Sequence, residues 1–258
     1  MLNTGSIGNL LLFTLGGFLV VLLSRFYPNS VRFCDDVPKP YKPIYCGQTL
    51  SAGHDADTGE ILVATSWRSA VEHQLGAVET WLNTQQPMSL PYIQEMVRIA
   101  IAARRPRILV MGLGGGAMPF LLHRFCSYCN VTAVDVELDA LQIARQFVHA
   151  DDGVRTIYIR DDAFKFAAAA SVSSFDVVMD DVYIGYSRPE TVQSLQYLQI
   201  LYEILAPGGQ YVVNICTPVN QPSRAADVLQ KQLEGIFDRV SQLIVPRTQN
   251  VIVIASKV

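Results

Sequence analysis

Residues Arg107–Gly116 read RILVMGLGGG. Ile108, Leu109, Val110 and Met111 form an apolar run long enough for a buried strand and too short for a helix. Gly112, Gly114, Gly115 and Gly116 follow at once, and Ala117–Phe125 continues with Met118, Phe120, Leu121 and Leu122 in a helix-like distribution. Strand, glycine turn and helix are the parts of a Rossmann-type nucleotide site. Glycine suits such a turn because a β-carbon would collide with a ligand drawn close to the backbone. Gly112-x-Gly114-x-x-Ala117 also satisfies the dinucleotide fingerprint, so an NAD-dependent oxidoreductase is one reading of the loop.

Downstream, strands and helices alternate. The apolar runs predict strands at Ile108–Met111, Val131–Asp135, Thr156–Ile159, Asp176–Asp180 and Gln210–Ile215. Helices are predicted between them, roughly at Ala117–Phe125, Asp139–His149, Asp162–Ala170 and Glu190–Leu205. Short links between alternating elements imply a parallel sheet covered on both faces. A helix at Ala225–Phe237 precedes two last strand runs, Val240–Val245 and Val251–Ile254, whose turn-like link PRTQN implies an antiparallel return.

Ligands of open α/β sheets bind beyond the carboxyl ends of the strands. The first strand ends in the glycines. The second ends in Asp135, 19 residues after Gly116, a spacing that suits a carboxylate accepting from both ribose hydroxyls. The third leads into Asp161-Asp162-Ala163, where a carboxylate could accept from an adenine amine, and the fourth ends in Asp180-Asp181-Val-Tyr183. Aspartates also follow strands simply as helix caps, and Asp161 or Asp162 has that alternative role.

The pieces VMGLGGGAMP, VTAVDVELDALQIA, RDDAFKF, FDVVMDDVY, LAPGGQYVVN and NVIVIA occur in this order. Together they resemble the motifs of the spermidine synthase superfamily, most closely its methyltransferase-like members, whose loop reads GLGGG with a proline soon after, here Pro119. The resemblance runs from about Tyr92 to the carboxyl end. It implies a Rossmann-like class I methyltransferase fold of α/β type, with a mostly parallel sheet and an antiparallel terminal strand. It also implies a cofactor of the S-adenosylmethionine type, in its ordinary or decarboxylated form. Carried over by position, Gly112, Gly114 and Gly116 would line the methionine part, Asp135 the ribose, Asp162 with Ala163 the adenine edge, and Asp181 would face the transferring group. The family usually has glutamate where Asp135 stands, and an apolar residue where Asp180 stands.

Aminopropyl transfer in the spermidine synthases relies on a loop of the form DSSDP. Here Asp181-Val-Tyr183-Ile184 keeps the first acid and has isoleucine in place of the second. Tyr92-Ile-Gln-Glu95 approximates the family's diamine-positioning motif, with the tyrosine one place out of register. A polyamine needs several carboxylates to replace its hydration, so methyl transfer fits better. Asp181 is then the group that accepts or orients the nucleophile's proton, and Tyr183 lines the acceptor pocket, either as a participant or as an ordinary wall residue. Polyamine aminopropyl transfer and a non-catalytic, membrane-anchored binding protein are the alternatives. No side chain in the sequence identifies the acceptor, small molecule or protein.

Upstream of the loop, Pro91–Ala103 reads as an amphipathic helix, and Pro43 to about Gln74 as a hairpin region of two to four strands broken by the turn-rich SAGHDADTGE. Ile7–Leu23 is nearly all apolar and Arg25 closes it. At 1.5 Å per residue such a helix reaches about 25 Å, near the lower limit for a bilayer. The expected organisation is therefore a membrane anchor over 1–25, a proline-rich linker over 26–42, the hairpin region over 43–90 and the Rossmann-like domain over 91–258. Arg25, Arg32, Lys39 and Lys42 all follow the apolar stretch, which places the catalytic part on the cytoplasmic side of a single-pass protein. The net charge of -3 argues against nucleic-acid partners, and a homodimer is compatible with the sequence. Five cysteines do not make a disulfide framework in a chain of 258 residues. Cys126 and Cys129 read as two half-buried thiols at a helix end, and with only His123 near them no metal site is expected.

Overall fold

The computed structural model describes residues 11–15, 18–22, 42–47, 49–65, 78–103, 106–148, 155–185, 187–216 and 224–258. The amino-terminal apolar stretch does not form the expected transmembrane helix. Its described residues are two strands, β1 (Leu11–Leu15) and β2 (Phe18–Leu22), paired antiparallel. Gly16-Gly17 stands between them in sequence, and a glycine pair of that spacing is a hairpin connector and a poor helix interior. Among the described residues no helix is long and apolar enough to cross a membrane, so the single-pass anchor is not supported. Of the expected linker over 26–42, residues 26–41 lie outside the described residues and Lys42 opens β3; Ala70-Val71 of the hairpin region also lies outside them.

The region expected as a small hairpin is a five-stranded antiparallel meander. Its strands are β3 (Lys42–Cys46), β4 (Leu50–Asp55), β5 (Glu60–Thr65), β6 (Val78–Asn83) and β7 (Met88–Ser89). SAGHDADTGE is less of a turn than it reads. Ser51–Asp55 extends as strand and only Ala56–Gly59 turns, because His54 and Asp55 pair in register with Ile61 and Glu60.

Helix α1 (Pro91–Ala100) leads into the second sheet, starting on Pro91, whose missing N–H costs a helix nothing at that position. The sheet has seven strands: β8 (Arg107–Met111), β9 (Asn130–Asp135), β10 (Arg155–Arg160), β11 (Phe175–Asp180), β12 (Leu205–Cys216), β13 (Arg239–Ile244) and β14 (Asn250–Ser256). Their spatial order is β10-β9-β8-β11-β12-β14-β13. The first five run parallel, and β14 is antiparallel to both of its neighbours. Around it lie α2 (Ala117–Phe125), α3 (Leu138–Val148), α4 (Ala163–Ala169), α5 (Leu195–Ile204) and α6 (Arg224–Glu234). The expected helix over Glu190–Leu205 is divided: a 3-10 turn occupies Glu190–Gln193, and Ser194 then caps α5 by accepting from the Tyr197 N–H. The LAPGG piece is the bulged start of β12, where the register with β11 slips between Phe175 and Val177.

Strand β8 shows why a continuous apolar run belongs here. Ile108 and Val110 pack into one core, Leu109 and Met111 into the other, and none of the four keeps solvent contact. Each such burial is worth about 1.5–3 kcal/mol, so covering both faces makes β8 the centre of the fold. Strand β8 is also where the chain order reverses, with β9 and β10 on one side and β11 and β12 on the other.

The cysteines depart from expectation. Cys126 and Cys129 form a disulfide just beyond α2, and both are buried. Cys46 is also disulfide-bonded, which leaves Cys216 as the free thiol among the described residues. The Cα atoms of Cys126 and Cys129 stand 5.5 Å apart because a turn follows the helix end, a separation that admits the bond.

A carboxylate joins the two sheets. Asp139, in the first turn of α3, accepts from the Tyr45 hydroxyl at 2.8 Å, the Thr49 N–H at 2.6 Å, the Thr49 hydroxyl at 2.9 Å and the Leu50 N–H at 3.1 Å. Burial by itself would push the Asp139 carboxyl up; those four donors more than offset it and hold it below the ordinary value. Asp139→Ala should therefore cost about 2–4 kcal/mol in denaturant unfolding, because buried N–H groups lose their acceptor. A depressed folded-state value makes this contribution complete above the ordinary 3.8 and lost as pH falls through the folded value. The difference between wild type and Asp139→Ala should accordingly be flat at neutral pH and shrink in acid.

Candidate active site

The glycine loop lies at the carboxyl end of β8, against the end of β11. Gly112 has φ +81°, and a β-carbon there would stand 2.4 Å from the Asp181 carbonyl oxygen. The Asp181 N–H in turn donates to the Met111 carbonyl at 2.9 Å. Two of the other glycines also answer to packing inside the protein. A β-carbon on Gly116 (φ +85°) would meet the Ala144 β-carbon of α3 at 2.7 Å. One on Gly115 would meet Thr80 of β6 at 2.6 Å, and the Gly115 N–H donates to the Thr80 hydroxyl at 2.7 Å. The sequence offered a ligand as the reason for these glycines; at these three positions close backbone packing is sufficient reason. Gly114 is left-handed as well, with φ +51°, and is half-buried.

Asp135 fastens this loop. One oxygen accepts from the Leu113 N–H at 2.7 Å, and the other from the Glu137 N–H at 2.7 Å. Burial raises its carboxyl above the ordinary range, although the N–H groups of Leu113, Glu137 and Gly114 pull the other way. A carboxylate offers about four lone-pair sites, so acceptor capacity toward a ribose remains. Asp162 caps α4 by accepting from the Lys165 N–H at 3.0 Å. The N–H of Ala163 lies in that first turn, where the helix provides no acceptor of its own. Val136 and Ile184 follow β9 and β11, the strands flanking β8, and are 63 and 67 % exposed. Open apolar side chains on both sides of a polar, glycine-lined edge fit a purine nucleoside.

Asp181 is half-buried and held on both oxygens. The Asn214 side-chain amide donates to Oδ1 at 2.8 Å and the Tyr92 hydroxyl to Oδ2 at 3.0 Å; Asn250 donates to Asn214 at 2.9 Å. Burial pushes the Asp181 carboxyl up. Asn214 and Tyr92 oppose that, Asp180 adds to it, and Arg188 opposes it. Tyr92, one place out of register in sequence, thus reaches the carboxylate because it sits in the first turn of α1, just before the helix face that meets the core.

Tyr183 does not turn its hydroxyl to the site. That oxygen accepts from the Cys216 N–H at 2.8 Å and donates to the Asn214 carbonyl at 3.1 Å, tying the loop after β11 to the end of β12. Both bonds favour the wall-residue reading over the catalytic one. Asp180, passed over in the sequence as occupying an apolar position, is fully buried and anchors a polar cluster with Arg188, Tyr197 and Tyr211. Arg188, Asn214 and Tyr92 are the site residues that sequence reasoning did not assign; only Tyr92 left a signal there.

Gly112→Ala and Gly208→Ala separate strain from collision. Gly208 has φ +78° with nothing within 4 Å of its virtual β-carbon. Its replacement should cost about 1 kcal/mol, the price of a left-handed alanine. Gly112→Ala adds a clash with the Asp181 backbone and should cost about 3 kcal/mol or more in the same unfolding assay.

Residues 108–209 match the family described as "Methyltransferase domain". Among curated relatives, the "eEF1A lysine and N-terminal methyltransferase homolog" of Drosophila melanogaster is 26% identical over 160 residues, covering 56% of this chain and 24% of the relative. A "Probable polyamine aminopropyl transferase" of Bifidobacterium longum is 24% identical over 153 residues, covering 58% of this chain and 34% of the relative. The chain therefore spans about a quarter to a third of the length of these relatives. Among solved structures, that of a "probable spermidine synthase" from Corynebacterium glutamicum superposes with a TM-score of 0.66 at 20% identity, covering 84% of this chain and 78% of that one. Over residues 108–209 the chain is thus similar to a methyltransferase domain, and its strand order and superposition are those of the Rossmann-like α/β fold that the spermidine synthase structure shares.

Proposed function

We propose that the chain transfers a methyl group from S-adenosylmethionine to a nitrogen or oxygen nucleophile, with Asp181 as the carboxylate facing that nucleophile. The observation that carries this reading is the placement of Asp181. It stands against the glycine loop at the point where strand order reverses, and Tyr92 and Asn214 fix both of its oxygens. When bound, the cofactor supplies an electrophilic methyl on a sulfonium. The protein's part is to hold the nucleophile in line with that methyl, which accounts for most of the acceleration such reactions receive.

Gly112, Gly114 and Gly116 shape the loop for the methionine part. Asp135 fastens the loop and offers its spare lone pairs to the ribose. Asp162 and Ala163 present an acceptor and a donor to the adenine edge. A carboxyl raised by burial is a better proton acceptor than an ordinary one, and Asp181 has that property while Asn214 and Tyr92 still favour its charged form.

Calorimetry of the chain against S-adenosylmethionine and its decarboxylated form tests the assignment. S-adenosylmethionine should bind the more tightly. Preference for the decarboxylated form, with turnover of putrescine, would replace methyl by aminopropyl transfer, and affinity for neither would leave a binding protein of the same fold. Asp135→Ala should weaken cofactor binding; unchanged affinity would show that the ribose is held elsewhere. Asp181→Asn should lower kcat by about a hundredfold or more with little change in cofactor affinity. Tyr92→Phe removes a donor that favours the Asp181 carboxylate, so the acid limb of the pH–rate profile should move to higher pH.

A further inference from the structure

Asparagine is a poor strand residue, yet β12 and β14 each carry one where the sheet meets the site. Asn214 stands opposite Ile252 and Asn250 opposite Cys216, so the two asparagines are diagonal neighbours on one face of the strand pair. It is the face that α1 covers, since Val212 and Ile252 share a core with Ile93 and Met96. Asn214 is buried, and both ends of its amide are used. Its Nδ2 donates to Asp181 Oδ1 at 2.8 Å, and its Oδ1 accepts from Asn250 Nδ2 at 2.9 Å. The backbone of Asn250 is held in turn: its N–H donates to the Thr248 hydroxyl at 3.1 Å, and its carbonyl accepts from the Val245 N–H at 3.1 Å.

An amide side chain is a donor at one end and an acceptor at the other. Turned end for end, Asn214 would offer its carbonyl oxygen to Asp181. A charged carboxylate is repelled by that oxygen, whereas a protonated one can donate to it. The orientation of Asn214 therefore selects the form of Asp181 that the site favours. Asn250 opposes the turn, because its Nδ2 would then face the Asn214 Nδ2, donor against donor, unless both amides turned together. Its donation also polarises the Asn214 amide and so strengthens the bond that Asn214 makes to Asp181.

We propose that Asn250 is a positioning residue of the acceptor site: its donation to Asn214 fixes the orientation of that amide, so that Asp181 meets a donor and is held as a charged proton acceptor. The proposal rests on Asp181 facing the nucleophile. Where Asp181 takes the nucleophile's proton, the fixed donor leaves the neutral acid without an acceptor in Asn214, and the proton passes on to solvent. The antiparallel strand β14 thereby belongs to the acceptor half of the site. The other charged and titratable groups around Asp181 are Tyr92 on α1, Asp180 on β11, Tyr183 and Arg188 after it, and Cys216 at the end of β12. Burial pushes Tyr183 and Cys216 up, away from the acid range, and Asp180 is paired with Arg188. None of them is removed when Asn250 is replaced.

The test is an NMR titration of the full chain, with the Asp181 carboxyl signal identified by its loss in Asp181→Asn. It is read for wild type, Asn250→Leu, Asn214→Leu and the two leucines combined, with melting temperature as the check on folding. Asn250→Leu should raise the Asp181 midpoint by about 0.3 pH unit or more, a fraction of one charge-assisted hydrogen bond. With leucine already at position 214, adding Asn250→Leu should move the midpoint no further. In wild type the side-chain NH2 signals of Asn250, identified by their loss in Asn250→Leu, should shift with the Asp181 midpoint; this measurement stands even where Asn214→Leu does not fold. An unmoved midpoint in Asn250→Leu overturns the proposal. So does an equal shift with leucine at 214, or an Asn250 NH2 pair that does not follow the titration. Neither cofactor nor acceptor is used, so a failure to bind S-adenosylmethionine would overturn the functional reading and leave the titration standing.

Discussion

A missing β-carbon governs this site. With any side chain at position 112, the loop could not lie against the Asp181 carbonyl, since the first added atom would come within 2.4 Å of it. That approach brings the end of β8 to the end of β11, where neighbouring strands lead their chains in opposite directions. The Asp181 N–H bonded to the Met111 carbonyl seals the junction from the other side. The loop proposed to hold the cofactor and the carboxylate proposed to face the acceptor are thereby parts of one backbone contact. Displacement of either moves both.

The glycines after it extend the same logic outward. Gly116 admits α3, and Gly115 admits β6 of the antiparallel sheet. The Thr80 hydroxyl accepts from the loop, and Asp139 takes four donors from the first two strands of the meander and their link. The antiparallel sheet is thus a wall of the glycine loop, fixed by hydrogen bonds whose loss would leave buried polar groups unpaired. Such bonds add modest stability when made and are costly when broken, which favours a single arrangement of the two sheets.

Charge at the end of β11 follows from burial. Asp180 occupies a core position beneath α5, where an unpaired carboxylate would not be tolerated, and Arg188 and two tyrosines compensate for it. Asp181, one residue later, is past the last strand pairing and takes its partners from α1 and β12. Adjacent residues of identical chemistry end in a neutralised structural anchor and an available carboxylate because the strand ends between them.

The sequence by itself determined the order of strands and helices from Arg107 to the carboxyl end, the family resemblance and the strand-end acids, because period, glycine spacing and apolar runs are local properties of the chain. Helix α2 and the centres of strands β8 to β11 lie where the pattern places them. Only the tertiary structure decided what depends on distant segments meeting. The described residues of the apolar amino-terminal stretch pair as two antiparallel strands where composition alone suggested a helix, since hydrophobicity without periodicity does not distinguish the two. Cys126 and Cys129 bond because a turn brings their Cα atoms together. Tyr183 spends its hydroxyl on β12, Tyr92 reaches Asp181 across 89 residues, and Arg188 closes on Asp180. Each partner choice is set by packing between elements, which no single stretch of the chain encodes.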